Sequence, residues 1–265
     1  MAMEVRQRPQ QQARLEYEAG GADSSSLSRG MVYREIQLRL KGQLTLASGD
    51  NTTSALKNGD EWAIVKSIKL IANGTDTIRK ISGNALWWMN YFLYGVQPVI
   101  TPALGDGSTT DPSFDAVLIL PLWMPRSLRP IDTMLDSREL SSLTLEVEWG
   151  QATDINANAT GFTSEPQIDV HTLEAFNISG PFASWQQFPI SKEITSDNSE
   201  FEVELPVGKV YRSFLMQTTD GGADASDIID RVQVVSGTTT FWDVVTDPTA
   251  QEVERLRGAR ERGFD

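Results

Sequence analysis

Residues 64–83 read IVKSIKLIANGTDTIRKISG and predict the hairpin on which the fold is built. Apolar and polar side chains alternate on both sides of an Asn-Gly pair, which is the strongest short-range signal of a tight hairpin turn. Much later, residues 228–247 read IIDRVQVVSGTTTFWDVVTD. When the two stretches are aligned with Ile64 opposite Ile228, the apolar positions of the first strand of each stretch coincide. The Gly-Thr pairs of the two stretches then lie one residue apart in the alignment. We interpret the second stretch as an internal repeat of the first.

The segments around the two stretches follow the same order along the chain. REIQLRLKGQLTLAS at 34–48 precedes the first stretch, and FEVELPVGKVYRSFLMQTT at 201–219 precedes the second. A helix candidate follows each stretch, NALWWMNYFLY at 84–94 and DPTAQEVERLRG at 247–258. This shared order predicts a tandem duplication of one sandwich.

The repeat has a specific consequence for the core. Side chains two residues apart on a strand share a face of the sheet. Ile68 and Leu70 are therefore expected to point into the core of a first sandwich. Val232 and Val234 are expected to do the same in a second.

The rest of the chain is typical of an all-β protein with long polar loops and a few short inserted helices. We predict tandem (double) jelly-roll sandwiches. A flexible N-terminal arm covers residues 1–30, a first jelly roll covers 31–180, and the N-terminal part of a second covers 181–265. The second roll would lack the strands that the first has between Phe114 and Phe176.

Composition excludes several classes of site and partner. The 265 residues include no cysteine, which rules out disulfides, thiol catalysis and cysteine-bound metal. The formal net charge of −13 disfavours a general nucleic-acid binder, because counterion release requires clustered Lys and Arg, and no specific nucleic-acid partner is expected. No apolar run is long enough for a transmembrane helix. The first thirty residues lack the apolar segment of a secretory signal, so none is expected.

The predicted arm carries Arg6, Arg8 and Arg14 among glutamines and no acidic residue up to Arg14 other than Glu4. One interpretation is a disordered tail, since the segment offers almost no core-forming residues. The other is an arm that binds an anionic surface, either lipid or nucleic acid. A disordered arm would be trimmed first by protease, and resistance to trimming would mean that the arm is docked.

An aromatic segment follows the first hairpin, with Asn84 as the predicted helix N-cap and Gly95 as the predicted stop. Its aromatic residues are Trp87, Trp88, Tyr91, Phe92 and Tyr94. One interpretation is a helix that plugs the end of the sandwich and buries its rings. The alternative is an anchor at a subunit interface.

Candidate catalytic groups are few. The single histidine, His171, alternates with Asp169 on a predicted strand, but no nucleophile motif accompanies the pair. Spacing of two places Glu146 and Glu148 on one sheet face, as in the pair at 202 and 204. Because apolar residues separate each pair, both are interpreted as solvent-facing positions. We expect no catalytic residue, no metal site and no cofactor.

The repeated order of strand, Asn-Gly or Ser-Gly turn, strand and helix resembles the double jelly-roll major capsid proteins of tailless, membrane-containing icosahedral phages, most closely the corticovirus and tectivirus group. The stretches that carry the resemblance are VKSIKLIANGTDTIRKISGNALWWMNYF, FDAVLILPLWMPRSLRPIDTMLDSRELSSLTLEVEWG and the pair KVYRSFLMQTTD and IIDRVQVVSGTTTFWDVV. They cover about half of the chain. The shortened second roll departs from the family pattern.

The resemblance implies a structural protein of the virion, made in the host cytoplasm, without enzymatic activity. It implies a homotrimer of pseudo-hexagonal outline in an icosahedral capsid lattice, with a penton protein as a further partner. It also implies that Arg6, Arg8 and Arg14 face lipids of an internal membrane.

Two other classes stay open. In a carbohydrate-binding or adhesin-type β-sandwich, exposed Trp87, Trp88 and Trp185 would stack on sugars. In a jelly-roll glycosidase, paired carboxylates would work in a cleft, and Glu146→Gln would abolish hydrolysis.

Overall fold

The computed structural model describes residues 6–47, 60–96, 98, 104, 111–124, 129–176, 182, 185–187, 189–190, 201–208, 211, 214, 216 and 231–245. The chain divides into two units, Met1–Val207 and Gly208–Asp265.

The first unit is built from strands with a few short helices. Its strands are β1 (Arg6–Glu16), β2 (Ala22–Ser26), β3 (Val32–Leu46), β4 (Val65–Ala72), β5 (Asp76–Ile81), β6 (Ser113–Pro121), β7 (Leu135–Asp136), β8 (Leu143–Trp149) and β9 (Ala159–Phe176). Its α-helices are α1 (Gly83–Tyr94) and α2 (Ala152–Ile155), and 3₁₀ turns lie at Asp60–Ile64 and Pro130–Thr133.

The strand order of this unit is that of a jelly roll. One sheet has the order β1-β9-β3-β6, with β7 beside β3, and the other has the order β2-β8-β4-β5. The antiparallel pairs are nested, since β1 pairs with β9, β2 with β8, β3 with β6 and β4 with β5. The first unit thus follows the path of one long hairpin that is rolled up. Its successive strand pairs alternate between the two sheets. The β4–β5 hairpin, predicted from residues 64–83, is its tip.

The core lies between the two sheets and joins them into one sandwich. Alternate residues of each strand are buried, as the period of a half-buried strand requires. The buried cluster takes Leu38, Leu40, Leu118 and Val170 from the first sheet and Ile68, Leu70, Leu145 and Val147 from the second. Each buried side chain of this size stabilises the fold by about 1.5–3 kcal/mol. The predicted all-β jelly-roll class is confirmed, and Ile68 and Leu70 are core residues as expected.

The turn of the β4–β5 hairpin follows from its Asn-Gly pair. Asn73 has a φ of 53° and Gly74 a φ of 80°, conformations that these two residue types adopt most readily. The amide of Thr75 donates to the carbonyl of Ala72 at 3.2 Å and closes the turn.

The prediction of a flexible arm over residues 1–30 is wrong for most of its length. Residues 6–16 form β1 and residues 22–26 form β2, and these strands pair with β9 and β8 respectively. The first roll therefore begins at β1 rather than at residue 31, and its last strand ends at Phe176.

The composition indicated disorder because β1 has few apolar side chains. The strand is ordered mainly by backbone hydrogen bonds to β9. The ladder with β9 runs from Arg6 opposite Phe176 to Glu16 opposite Gln167. Leu15 is a fully buried apolar anchor in this strand. A glutamine-rich segment can therefore be ordered when a long neighbouring strand supplies its hydrogen bonds.

The strands described in the second unit form a hairpin, β10 (Arg231–Ser236) and β11 (Thr239–Val245), which makes a two-stranded sheet. Val232 and Val234 are only partly buried in it, so the prediction that they lie in a core as Ile68 and Leu70 do is wrong for this hairpin. No second sheet covers them within the described residues of this unit. The helix predicted over 247–258 lies outside the described residues.

Candidate functional site

Helix α1 begins and ends at local signals in the sequence. Ser82, not the predicted Asn84, is the N-cap, and its side chain accepts a hydrogen bond from the amide of Ala85 at 3.2 Å. Gly95 ends the helix as predicted, with a φ of 71° and its amide donating to the carbonyl of Tyr91 at 2.9 Å. A left-handed residue at this position is favoured when it is glycine.

The inner side of α1 closes one edge of the first sheet. Asn90 is buried, and its amide nitrogen donates to the carbonyl of Ile119 in β6 at 2.7 Å. The amide of Ile119 donates back to the Asn90 side-chain oxygen at 2.9 Å. A side-chain amide thus takes the place of a neighbouring strand on β6, an edge strand that would otherwise expose unpaired groups. Leu86 and Trp87 are buried beside Asn90.

The outer side of α1 presents aromatic rings to solvent. Trp88 is 42% exposed and Phe92, one helical turn later, is 39% exposed. The ring of Tyr91 lies 6.2 Å from Trp88 and 5.9 Å from Phe92. We call Trp88, Tyr91 and Phe92 the aromatic face. One side of helix α1 therefore plugs the sandwich, and the other side presents rigid rings, whose role at a subunit interface stays a prediction.

Tyr94 belongs with the buried side of this region. Its burial, together with the nearby carboxylate of Glu35, raises the pKa of its hydroxyl to about 12. Of the five predicted aromatic residues, Trp87 and Tyr94 thus pack inside the protein, and the other three form the aromatic face.

A β-bulge interrupts the β4–β5 hairpin near its tip. Leu70 pairs with Arg79 and the next residue, Ile71, pairs with Thr77. Ile78 is therefore an extra residue on β5, and its side chain is buried in the core.

The second hairpin carries the same bulge in the same place. Val234 pairs with Trp242 and Val235 pairs with Thr240, so Phe241 is the extra residue. When Ile64 is placed on Ile228, Leu70 falls on Val234, and across the shorter turn Ile78 falls on Phe241. A bulge is a specific feature of a strand pair, not a defect. The correspondence therefore supports the internal repeat beyond its apolar pattern.

The two bulges differ in what covers them. Ile78 is 9% exposed, whereas Phe241 is 71% exposed. Val235, at the position of the partly buried Ile71, is exposed as well. Phe241 is therefore exposed at the bulge position where the first hairpin buries Ile78.

The arginines expected on a flexible arm lie in β1. Arg6 and Arg8 stand opposite Phe176 and Glu174 in the ladder with β9. Arg14 is paired with Asp169 at 2.9 Å, with about half of its side chain exposed. Contact of these residues with a membrane stays a prediction. Any such contact would be made by an ordered strand and not by a flexible arm.

His171 and Asp169 lie on the outer face of the first sheet and do not form a catalytic pair. The Asp169 carboxylate accepts hydrogen bonds from Lys41 at 2.5 Å and from Arg14 at 2.9 Å. The hydrogen bond from Lys41, reinforced by that from Arg14, holds the pKa of Asp169 below its usual value. The side chain is thus an ionised structural partner of two cations.

Glu146 and Glu148 share one lysine on the outer face of the second sheet, as their alternation predicted. The ammonium of Lys69 lies 2.8 Å from a carboxylate oxygen of each. Hydrogen bonding to Lys69 lowers the pKa of Glu148. Both carboxylates are therefore engaged by one lysine on a sheet face, an arrangement that does not support the glycosidase alternative.

The tryptophans proposed for sugar stacking do not form one platform. Trp87 is buried, and the ring of Trp185 packs on the guanidinium of Arg79 at 3.5 Å. Arg79 donates to the carbonyl of Ile78 at 2.7 Å and to that of Trp185. Its burial lowers the pKa of the guanidinium to about 9. Trp88 alone of the three is exposed.

Sequence reasoning missed Arg79 and Asn90. Arg79 stands next to Lys80 in a strand and reads as a surface residue, and Asn90 lies among aromatic residues without a motif. Their roles depend on which backbone groups the fold brings next to them, and no local signal reports that.

The described residues offer neither a cluster of metal ligands nor a membrane-spanning helix. They contain no group of three or more His, Asp or Glu residues placed to hold a metal ion. Nor does any helix among them have the length and apolar character needed to cross a bilayer.

Comparison with known proteins gives matches among solved structures. No protein-family model and no curated protein matches the chain. The STIV MCP is 16% identical with a TM-score of 0.47, over 64% of this chain and 48% of that one. The major capsid protein P2 of bacteriophage PM2 is 12% identical with a TM-score of 0.39, over 64% and 50%. VP54 of PBCV-1, fitted into a reconstruction of the virophage Sputnik, is 11% identical with a TM-score of 0.43, over 65% and 42%.

These solved structures are viral major capsid proteins, the kind of protein that the sequence resembles. The chain spans half of their length or less.

Proposed function

We propose that this chain is a structural protein of an icosahedral virus capsid that assembles as a homotrimer. The repeated hairpin, with its bulge in the same place, carries the proposal. A chain with two similar rolls lets three copies present six similar units, and such a trimer tiles a hexagonal lattice. The proposal assigns the chain a tandem of rolls, and β10–β11 is the hairpin of the second roll.

The aromatic face supports self-association. Rigid aromatic rings are enriched where protein surfaces meet, and they lose little conformational entropy on binding. Trp88 and Phe92 lie outside the core of the roll and are held in place by a helix whose other side is locked to β6 through Asn90. We assign this face to contacts between copies in the capsid.

The proposal includes a virion location, a penton protein as a neighbour, and a membrane beneath the shell, as the resemblance implies for a phage. Arg6 and Arg8 at the start of β1, and the half-exposed Arg14, are the residues assigned to anionic lipid headgroups. Binding of the purified chain to vesicles with and without anionic lipid tests this part.

Negative-stain electron microscopy of the purified protein tests the proposed architecture. We expect class averages of a trimer with a pseudo-hexagonal outline and six similar lobes. Particles with three lobes would contradict the tandem of rolls, and single-lobed particles would contradict the trimer.

A further inference from the structure

After β9 ends at Phe176, the chain contacts the first unit again at Phe182. The ring of Phe182 packs beside a small buried cluster where β3 begins and β9 ends, made of Val32, Met134 and Ala175. The guanidinium of Arg138 lies 5.7 Å from the centre of this ring. Phe182 is therefore a first point of attachment for the segment that follows β9.

A second point of attachment lies on β5. The ring of Trp185 stacks on the guanidinium of Arg79 at 3.5 Å, and Arg79 donates to the carbonyl of Trp185. The amide of Gln187 donates to the carbonyl of Ile78 at 3.4 Å. Because β5 is the last strand in the order of the second sheet, this contact lies at a sheet edge.

The strap, which is our name for Phe182 and Trp185–Gln187, covers a cation on the core side of β5. Arg79 stands opposite Leu70 in the β4–β5 ladder, and residues directly opposite each other share a face of the sheet. Since Leu70 is fully buried, Arg79 also points toward the core, and it is 2% exposed. The edge strand thus carries a charge where its neighbour carries a leucine, and the strap closes over it.

The closed strap leaves this charge without a counter-ion. Among the described residues, the hydrogen-bond partners of Arg79 are two carbonyls, those of Ile78 and Trp185. Removing a charge from water costs free energy, and two carbonyl dipoles offset this cost less than a carboxylate would. The closed state therefore contains a source of strain at Arg79.

Unpaired polar atoms add to this cost. Three atoms of the contact are buried and have no hydrogen-bond partner among the described residues, namely Nε of Arg79, Nε1 of Trp185 and Oε1 of Gln187. A buried donor or acceptor that makes no hydrogen bond destabilises the state in which it is buried. Opening of the strap would return all three atoms to water.

The edge of the first sheet is closed in a different way. At β6, the side chain of Asn90 donates to the carbonyl of Ile119 and accepts from its amide. Its other donated hydrogen bond, at 2.8 Å, goes to the carbonyl of Leu86. Each polar atom of Asn90 is thus paired and no charge is buried there, whereas Arg79 brings an unpaired charge into its contact. Of the two closures, the strap is therefore the one that opens at lower cost.

We propose that the strap opens from β5 while the rest of the first roll stays folded, and that this opening uncovers Arg79. Proteins open locally at contacts of low stability without unfolding as a whole. The open state exposes the guanidinium and the carbonyl of Ile78 at the sheet edge. All of these groups belong to the first unit, so the inference is independent of the second unit and of assembly into a capsid.

Labelling of arginines with phenylglyoxal, followed by peptide mass spectrometry of the full chain, tests the opening. Arg129, whose side chain is 80% exposed, is the fast reference. We expect Arg79 to react more slowly than Arg129 but faster than the roll unfolds globally, as measured by hydrogen exchange of the β3 amides. Trp185→Ala should raise the rate at Arg79 about tenfold or more and leave that at Arg129 unchanged. Trp88→Ala, which removes an exposed ring from α1, is the matched control and should leave both rates unchanged.

Three outcomes would overturn the proposal. Reaction of Arg79 only at the rate of global unfolding would mean that the strap never opens on its own. Equal rates at Arg79 and Arg129 would mean that the strap is not closed in solution. An unchanged rate in Trp185→Ala would mean that Trp185 does not cover the guanidinium.

A second variant keeps the test informative if Trp185→Ala fails to fold. Arg79→Met removes the charge and keeps an unbranched side chain at the position. We expect it to slow hydrogen exchange of the strap amides several-fold, since the closed state then holds no unpaired charge. Exchange in α1 is the internal reference and should not change. Faster exchange of the strap in Arg79→Met would mean that the guanidinium holds the strap closed, and the proposal would be wrong.

Discussion

Ile78 of β5 and Phe241 of β11 are the extra residues of two bulges that occupy the same place in two hairpins. A bulge bends and twists a strand, so that its position shapes the sheet around it. Two hairpins related only by their alternating pattern have no reason to share one. The first hairpin is the tip of the rolled-up jelly roll. This correspondence supports the proposal that the second hairpin is the tip of a second roll.

Leu15 tests whether β1 is an integral strand of the roll. We expect Leu15→Ala to lower the free energy of unfolding by about 3 kcal/mol, because it leaves a cavity at a fully buried position. Urea denaturation measures the change. Val117→Ala, at an exposed position of β6, is the control and is expected to cost within about 0.5 kcal/mol. Equal effects of the two variants would show that β1 does not contribute to the core.

Asn90 tests the docking of α1 on β6. We expect Asn90→Leu to cost about 2–3 kcal/mol, since the buried amide and carbonyl of Ile119 both lose their side-chain partner. Thermal unfolding followed by circular dichroism measures the loss. Thr77→Ala, at an exposed position of β5, is the control. A stability of Asn90→Leu equal to that of the control would contradict the assigned role.

Asp169 tests the ion network on the outer face of the first sheet. Its pKa is lowered in the folded chain by Lys41 and Arg14. The stabilisation is therefore fully present above the unfolded pKa of about 3.9 and is lost as the pH falls through the folded pKa. We expect Asp169→Asn to cost about 2 kcal/mol at pH 7 and progressively less below pH 4.

Denaturation curves recorded from pH 7 to pH 2 measure this difference. Glu139→Gln, at an exposed position, serves as the matched control. A difference between wild type and Asp169→Asn that stays constant across this range would contradict the assignment.

The aromatic face tests the proposed contacts between copies. We expect the double variant Trp88→Ala/Phe92→Ala to weaken self-association tenfold or more, as loss of aromatic anchors does at interfaces. Its free energy of unfolding should change little, because both side chains are well exposed. Light scattering over a dilution series and urea denaturation measure the two effects. Ile131→Ala, another exposed apolar position, is the control.

Local signals in the sequence were sufficient for the parts of the fold that depend on local chemistry. The Asn-Gly pair predicted the β4–β5 turn, Gly95 predicted the end of α1, and alternation predicted the outward glutamates of β8. Each of these features is decided by a few neighbouring residues. The confirmed class, an all-β jelly roll, follows from many such features together.

Features that depend on distant parts of the chain were not predictable from the sequence. Residues 6–16 have no apolar alternation, and they form a strand because β9 is long enough to pair with them. Asn90 and Arg79 donate to the carbonyls of Ile119 and Trp185, which lie close to them only after folding. The core assigned to Val232 was wrong for a similar reason, since no described strand of its unit covers the hairpin.

Sedimentation velocity on the purified chain tests the central claim, that this is a self-assembling capsid protein. A chain of 29.3 kDa should sediment at micromolar concentration with three times that mass, and dilution should shift the population toward monomer. A single species of 29.3 kDa at every concentration would contradict the account.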